Sequence, residues 1–328
     1  MPNFLPWFDQ YLARLDATLL HHAFLIGGKE GVGKNKFSLL LSQFILCKEK
    51  QELMPCNKCQ SCTLFRSSNH PDFYLIKIEE DKKKISINQI KELQTKFYES
   101  SFLAGNKIFL IELAEFLSND ATNSLLKIIE EPPKDTHFII TSHRTKQLSS
   151  TLRSRCFEIF INNPNTQEIQ EWLETEDIDH EHLQLALNLE LGRPLKIKKL
   201  LDANILDSRN NFIKEMSQLI KQGKNIISLS EEWSKDQETL VFKLEWMSNL
   251  MMDSIRYQLT GDKKEVHSDT SAISMYLGQK IKFNILFDLL TETNVLWSLF
   301  TDGTNLKADY QLQSLFINWE SKLGLSAR

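Results

Sequence analysis

The chain has 328 residues, 41% of them hydrophobic and 25% charged, with a formal net charge of −4. That length exceeds one ordinary compact domain and suits two or three, and the composition is that of a soluble globular protein. The acidic balance weighs against wrapping nucleic acid by bulk electrostatics, no apolar run approaches the ~20 residues of a membrane helix, and the start MPNFLPWFDQ lacks a signal peptide's basic region and apolar core, so the cytoplasm is the expected compartment.

The first half alternates strand-like and helix-like segments. His22–Gly28 is an apolar run ending in glycines, which suits a buried strand and a turn. Lys34–Leu46 carries Phe37, Leu40, Leu41, Phe44 and Ile45 at a helical period. Asp72–Ile78 reads as a second strand. Ser86 is placed as the N-cap of a helix with Ile87, Ile90, Leu93 and Phe97 on one face. Lys107–Leu113 is a third strand, Asn119–Glu131 a helix stopped by Pro132 and Pro133, and Thr136–Ser142 a fourth strand. Such alternation predicts a mostly parallel α/β sheet with helices on both faces.

Beyond the polar linker Ile161–Thr166 only helical periodicity remains. Thr166–Glu174, His180–Leu191 and Pro194–Leu201 predict a small helical unit. Segments near Glu238–Leu259, Lys280–Phe300 and Lys307–Leu323 predict a longer all-helical region, with a polar loop at Gly261–Ser271. The division expected from these changes of character is 1–161, 162–206 and 207–328.

Gly28-Lys-Glu-Gly31-Val-Gly33-Lys34 follows a strand and opens a helix, which is the spacing of a phosphate-binding loop. Bare glycine backbone can cradle phosphates and Lys34 can reach the outer ones; a glycine turn that merely caps a helix is the plain alternative. A working loop next places a Ser or Thr hydroxyl on magnesium, but here the residue is Asn35. Nucleotide binding therefore stays open while hydrolysis is disfavoured. Hydrolysis also needs one acid to hold magnesium and a second carboxylate to activate water. The third strand ends in Glu112-Leu113, and leucine cannot act as a base. Glu115 is expected to lie in a solvated loop, pointing elsewhere.

Four of the five cysteines, Cys47, Cys56, Cys59 and Cys62, fall within the 47–62 segment. In a reducing compartment such clustering indicates metal rather than disulfides. Four thiolates would close a tetrahedral, structural zinc site; reactive thiols or a redox centre are the competing reading. Arg155, in Thr151-Leu-Arg-Ser-Arg155-Cys156, is by itself a surface charge, an intramolecular pair, or a finger offered to a neighbour's nucleotide.

His21-His-Ala-Phe-Leu25, the phosphate loop, the four cysteines, His70-Pro-Asp72, Ser124-Leu-Leu-Lys-Ile-Ile-Glu-Glu-Pro-Pro133 and the Ser154-Arg155-Cys156 motif occur in this order. Together they resemble the clamp-loader branch of AAA+ proteins, densely from about residue 20 to 160. Three positions depart from the pattern of the motor subunits in that branch. They are Asn35, Glu112-Leu113, and Leu195 of Gly192-Arg193-Pro194-Leu195, which stands where the motor has a sensor arginine. The three together fit the delta-prime family of bacterial DNA polymerase III, which does not power the machine.

The resemblance implies an AAA+ domain with an inserted zinc module, a helical lid and an all-α collar that oligomerises. It implies Arg155 as the finger reaching the adjacent motor's ATP, and a degenerate nucleotide site at Gly28, Gly31, Gly33, Lys34 and Asn35. It implies as partners the gamma/tau motor and delta subunits, with the sliding clamp and primer-template DNA met through the complex. Leu240, Leu244, Met247 and Met251 form a stripe that suits either the collar interface or an ordinary core. An active ATPase motor and a zinc-dependent nucleic-acid-binding protein are the competing functions.

Overall fold

The computed structural model describes residues 4–15, 20–50, 53–79, 82–103, 105–173, 180–190, 192–202, 205–222, 226–262, 267–301 and 307–324. Packing divides the chain into two compact units, Met1–Ile178 with Glu190–Lys198, and Asp179–Leu189 with Lys199–Arg328. Of the predicted segments, Glu174, Leu191 and residues 263–266 of the polar loop lie outside the described residues.

The first unit is built on a five-stranded sheet: β1 (Ala23–Gly28), β2 (Phe73–Ile76), β3 (Lys107–Ile111), β4 (Thr136–Ser142) and β5 (Phe157–Ile161), in the order β2-β3-β4-β1-β5. Every neighbouring pair is parallel. Successive side chains of β1 alternate between two cores, as a pleated strand requires. Phe24 and Ile26 join Phe37, Leu41 and Phe44 of the helix Lys34–Leu46 on one face. Ala23 and Leu25 join Phe97, Leu125 and Ile129 on the other. Helices thus cover both faces, which is why β1 and β3 are buried along their whole length.

Four strands fall where sequence periodicity places them. β5 is an addition. It is an edge strand whose Glu158 and Phe160 are exposed while Ile159 and Ile161 are buried, and so short a half-buried run gives a weak signal. The helix expected from Ser86 through Phe97 breaks at Leu93 into Ile87–Glu92 and Gln94–Tyr98. Its start is as predicted: the Ser86 N–H donates to Gln89 Oε1 at 2.9 Å, one half of a capping box.

The second unit is helical among the described residues: His180–Leu189, Ile205–Gln222, Ile226–Ser234, Gln237–Thr260, Ser271–Lys280, Phe283–Thr301 and Ala308–Leu323. Leu240, Leu244, Met247 and Met251 are fully buried within it, so the stripe is core and not a free interface. Two charged groups of this core are paired, as burial favours, although Trp246 Nε1, Ser274 Oγ and Trp319 Nε1 are buried without a hydrogen-bond partner. Arg209 donates to both oxygens of Asp269, at 2.9 and 3.1 Å, with its guanidinium over Phe212 and Trp246. Trp233 Nε1 donates to Glu215 Oε2 at 2.8 Å, and the Lys243 ammonium lies 3.4 Å from the same oxygen.

Candidate functional site

β1 lies between β4 and β5, and its C-terminal end opens on the crevice where parallel α/β sheets receive ligands. There Gly28, Gly31 and Gly33 lead into the helix Lys34–Leu46. Gly33 has φ 101° and a Cβ built on it would stand 2.6 Å from Leu5 Cδ1. Gly33→Ala is therefore expected to cost about 1–3 kcal/mol, read as a lower denaturation midpoint. An unchanged midpoint would mean that the loop relaxes freely.

The chain itself occupies the loop's carbonyls. Lys34 Nζ donates to Lys29 O at 2.7 Å, the Leu195 N–H to Gly31 O at 3.0 Å, and Trp7 Nε1 to Val32 O at 3.0 Å. Lys34 is 3% exposed. Burial draws its pKa down to about 8 against the opposing pull of Glu115 and Glu30. Asn35 is exposed. Leu195 packs its side chain against the core of this unit.

At the end of β3, Glu112 has its carboxyl pKa raised by burial, with Lys77 opposing. Leu113 adopts a left-handed backbone, φ 55° and ψ 58°, and its N–H donates to Thr141 Oγ1 at 3.0 Å. This strained position has no carboxylate. The expectation for Glu115 needs correcting. Its Oε1 accepts the His143 N–H at 2.9 Å, its Oε2 is buried without a partner, and its charge acts on Lys34. The 3-10 turn Ala114–Phe116 folds Glu115 back toward the loop, an effect that strand periodicity does not encode. Ser142 is buried and its Oγ accepts the Arg144 N–H at 3.0 Å.

The four cysteines of 47–62 converge, with all sulfurs within 4.8 Å of one another and Cys47 Sγ 4.0 Å from Cys59 Sγ. Four sulfurs at about 2.3 Å from a tetrahedral metal stand about 3.8 Å apart, so the cluster fits. Backbone N–H groups already point at the sulfurs: Cys56 N–H to Cys47 at 3.3 Å, Cys59 N–H to Cys56 at 3.3 Å and Cys62 N–H to Cys59 at 3.5 Å. Burial opposes ionisation of Cys59, yet N–H bonds from Cys62 and Lys48 outweigh it and bring that thiol down to about 6. Such a cluster can hold a metal ion such as zinc.

A relay ties the cluster to the sheet. Ser61 Oγ donates to Leu46 O at 2.7 Å and lies 2.9 Å from His70 Nε2, while His70 Nδ1 accepts the Asp72 N–H at 3.1 Å. That pattern makes His70 a neutral imidazole protonated on Nε2, consistent with burial lowering its pKa. Asp72, at the entry to β2, accepts the N–H groups of Phe102 and Leu103 at 2.7 and 3.0 Å.

Arg155 closes the short helix Ser150–Ser154, which is capped by Ser149. Its guanidinium is about one-third exposed, with Nη1 donating to Thr151 O at 2.9 Å and Nη2 2.7 Å from Glu130 Oε1. Cys156 stands apart from the metal cluster; burial, then Glu158, pushes its thiol up to about 12.

The family model described as "DNA polymerase III, delta subunit" matches residues 7–165, and the model described as "DNA polymerase III, delta subunit, C terminal" matches 203–321. The DNA polymerase III subunit delta' of Pseudomonas aeruginosa is 29% identical over 331 residues, covering 99% of each chain. The chain belongs to the delta-prime family of DNA polymerase III. It is a component of the clamp loader in DNA replication, as the order of its motifs implies. The delta' subunits of Escherichia coli and Bacillus subtilis, 29% and 27% identical, each align with 78% of this chain and with 76% and 78% of their own length. Among solved structures, a gamma subunit-related protein of DNA polymerase III from Thermotoga maritima has a TM-score of 0.46 at 16% identity, covering 96% of this chain and 98% of its own.

The structure therefore brings Gly28, Gly31, Gly33, Lys34 and Asn35 into one loop and the four cysteines into one cluster. Sequence reasoning missed two acids, Glu115 beside the loop and Glu130 on Arg155. Glu130 was visible as the acid preceding Glu131-Pro132-Pro133, but its partner lies 25 positions later in the chain. Among the described residues no helix is long and apolar enough to cross a membrane.

Proposed function

We propose that this delta-prime subunit is a stator of the clamp loader. It closes the ring without hydrolysing ATP itself and offers Arg155 to the ATP site of the adjacent motor subunit. The observation that carries this reading is the lack of hydrolytic groups around the loop: Asn35 stands where a magnesium hydroxyl is needed, and Leu113, at the end of β3, where a catalytic carboxylate is. The Lys34 ammonium gives one hydrogen bond to Lys29 O and keeps two donors, so a phosphate can still be met at the loop. Once bound it meets neither a magnesium hydroxyl at Asn35 nor a general base at Leu113. Nucleotide binding is possible in this reading but weak or absent.

Zinc is the metal we assign to Cys47, Cys56, Cys59 and Cys62, in a structural role, since all four positions are filled by protein ligands. The partners in this reading are the gamma/tau motor and delta subunits, with the sliding clamp and primer-template DNA engaged through the complex in the cytoplasm. The domain division that accompanies it is an AAA+ domain at 1–161, a lid at 162–206 and a collar at 207–328. Exposed Leu259, Phe287, Val295, Tyr310 and Ile317 support the collar, because large apolar side chains left in water favour association.

The Glu115 carboxylate beside Lys34 favours one rival, an active motor that draws its base from the following turn. One comparison separates the two: ATP hydrolysis by the purified chain, by the other loader subunits without it, and by the full complex on primed DNA with clamp. A stator gives no turnover alone and raises the rate of the others on joining them. Steady turnover by the chain alone that Glu115→Gln abolishes would establish the motor instead.

A further inference from the structure

We propose that Glu130 is the positioning residue of the Arg155 finger, holding its guanidinium ready for a phosphate on the neighbouring subunit. This rests on the finger reading of Arg155. Arginine carries high rotamer entropy, and a partly exposed guanidinium with no anchor would sample many directions. Here two elements pin it, one on each terminal nitrogen. Thr151 O takes Nη1 from within the finger's own helix, and Glu130 takes Nη2 from the end of the helix Asn119–Glu130. Two of the five N–H donors are thereby used, and three remain for an anionic ligand.

A purely structural pair does not account for this placement. Glu130 and Arg155 are 47% and 34% exposed, where an ion pair contributes little to folding. Glu130 is also the last residue of its helix, the end at which a carboxylate opposes the helix dipole, and Glu131 follows it. Helix physics alone would select a lysine there. An acid at this point has one evident use, which is to orient the arginine across from it. When a phosphate arrives the carboxylate competes for the guanidinium only weakly, because exposure to solvent screens the pair. The contact thus sets direction without trapping the finger.

The test uses the reconstituted loader with its clamp and primed DNA, and compares wild type, Glu130→Gln, Glu130→Asp, Arg155→Ala and the Glu130→Gln/Arg155→Ala double variant. Glu130→Gln is expected to lower kcat for ATP about tenfold with KM little changed, because misdirection acts on transition-state contact. Glu130→Asp should recover part of the loss, and the double variant should be no slower than Arg155→Ala alone. Melting temperatures of the free variants should match wild type. If Arg155→Ala slows hydrolysis while Glu130→Gln does not, or if Glu130→Gln slows the Arg155→Ala complex further, the positioning role is overturned and the finger survives. If Arg155→Ala is itself neutral, the finger reading falls and takes this inference with it.

Discussion

On the proposed finger role, replacing Arg155 by alanine is expected to remove about 10³-fold of ATP hydrolysis at the neighbouring motor site and to leave the fold of this chain unchanged. Fingers supplied to a phosphoryl-transfer site are worth about 10³–10⁵-fold, so the low end corresponds to about 4 kcal/mol of transition-state stabilisation. The energy comes from charge developing on the transferred phosphate in a site closed to water, where a guanidinium acts far more strongly than in solvent. In the free chain the same side chain is worth little, because its pairing with Glu130 is exposed. Activity and stability therefore separate cleanly. The measurement is single-turnover hydrolysis by the reconstituted complex beside thermal melting of the free variant. A burst of unchanged rate and amplitude would remove Arg155 from the mechanism, and a large drop in melting temperature would show that it was structural.

Removal of metal from the cysteine cluster is expected to be the most destabilising single treatment of this chain. Structural zinc sites contribute apparent binding energies of about 10–16 kcal/mol in small modules, comparable with the whole stability of a domain. The module is fastened at several points, so its loss spreads. Gln43 bonds Asn57 at 3.0 Å, Ser61 bonds Leu46 O at 2.7 Å and the pair with His70 leads to β2. About one zinc per chain should be found in protein purified without chelator. Cys59→Ser or exhaustive chelation should lower the melting temperature by about 4–16 °C, corresponding to a loss on the order of 2–4 kcal/mol after partial compensation. Cys156→Ser should leave metal content untouched, since Cys156 is not among the converging four. Absence of metal together with four thiols titrating freely in the native protein would refute the site. Affinity should also fall in acid, where protons compete with the metal for the thiolates.

The two treatments probe parts of the chain that differed in how openly the sequence displayed them. The cysteine cluster is local, with three ligands spaced at Cys56, Cys59 and Cys62 on successive turns, and spacing alone brings them together. The phosphate loop is also local, a strand, a glycine turn and a helix that occupy consecutive positions. β1, β3 and β4 were legible because their apolar runs are buried on both faces, and the edge strand β2 because Phe73–Ile76 is an unbroken apolar run, whereas β5 is an edge strand interrupted by the exposed Glu158.

What was hidden is what the chain brings back from a distance or turns by backbone geometry. Glu115 reads as a solvated acid until the left-handed Leu113 and the following 3-10 turn point it at Lys34. The stripe from Leu240 to Met251 reads equally as interface or core, because periodicity records that a face is apolar and not what covers it.

The sequence by itself determined the parallel α/β architecture, the cluster of four cysteines, the glycine loop followed by Asn35, and the family. All of these rest on residue types at short, fixed spacing. Only the tertiary structure decided that the loop's carbonyls are taken by Trp7, Lys34 and Leu195, that Glu115 faces inward, and that Glu130 holds Arg155. Each of these depends on where separate elements end once two hydrophobic cores have closed on the sheet. That placement follows from the packing of the whole unit and from no local pattern.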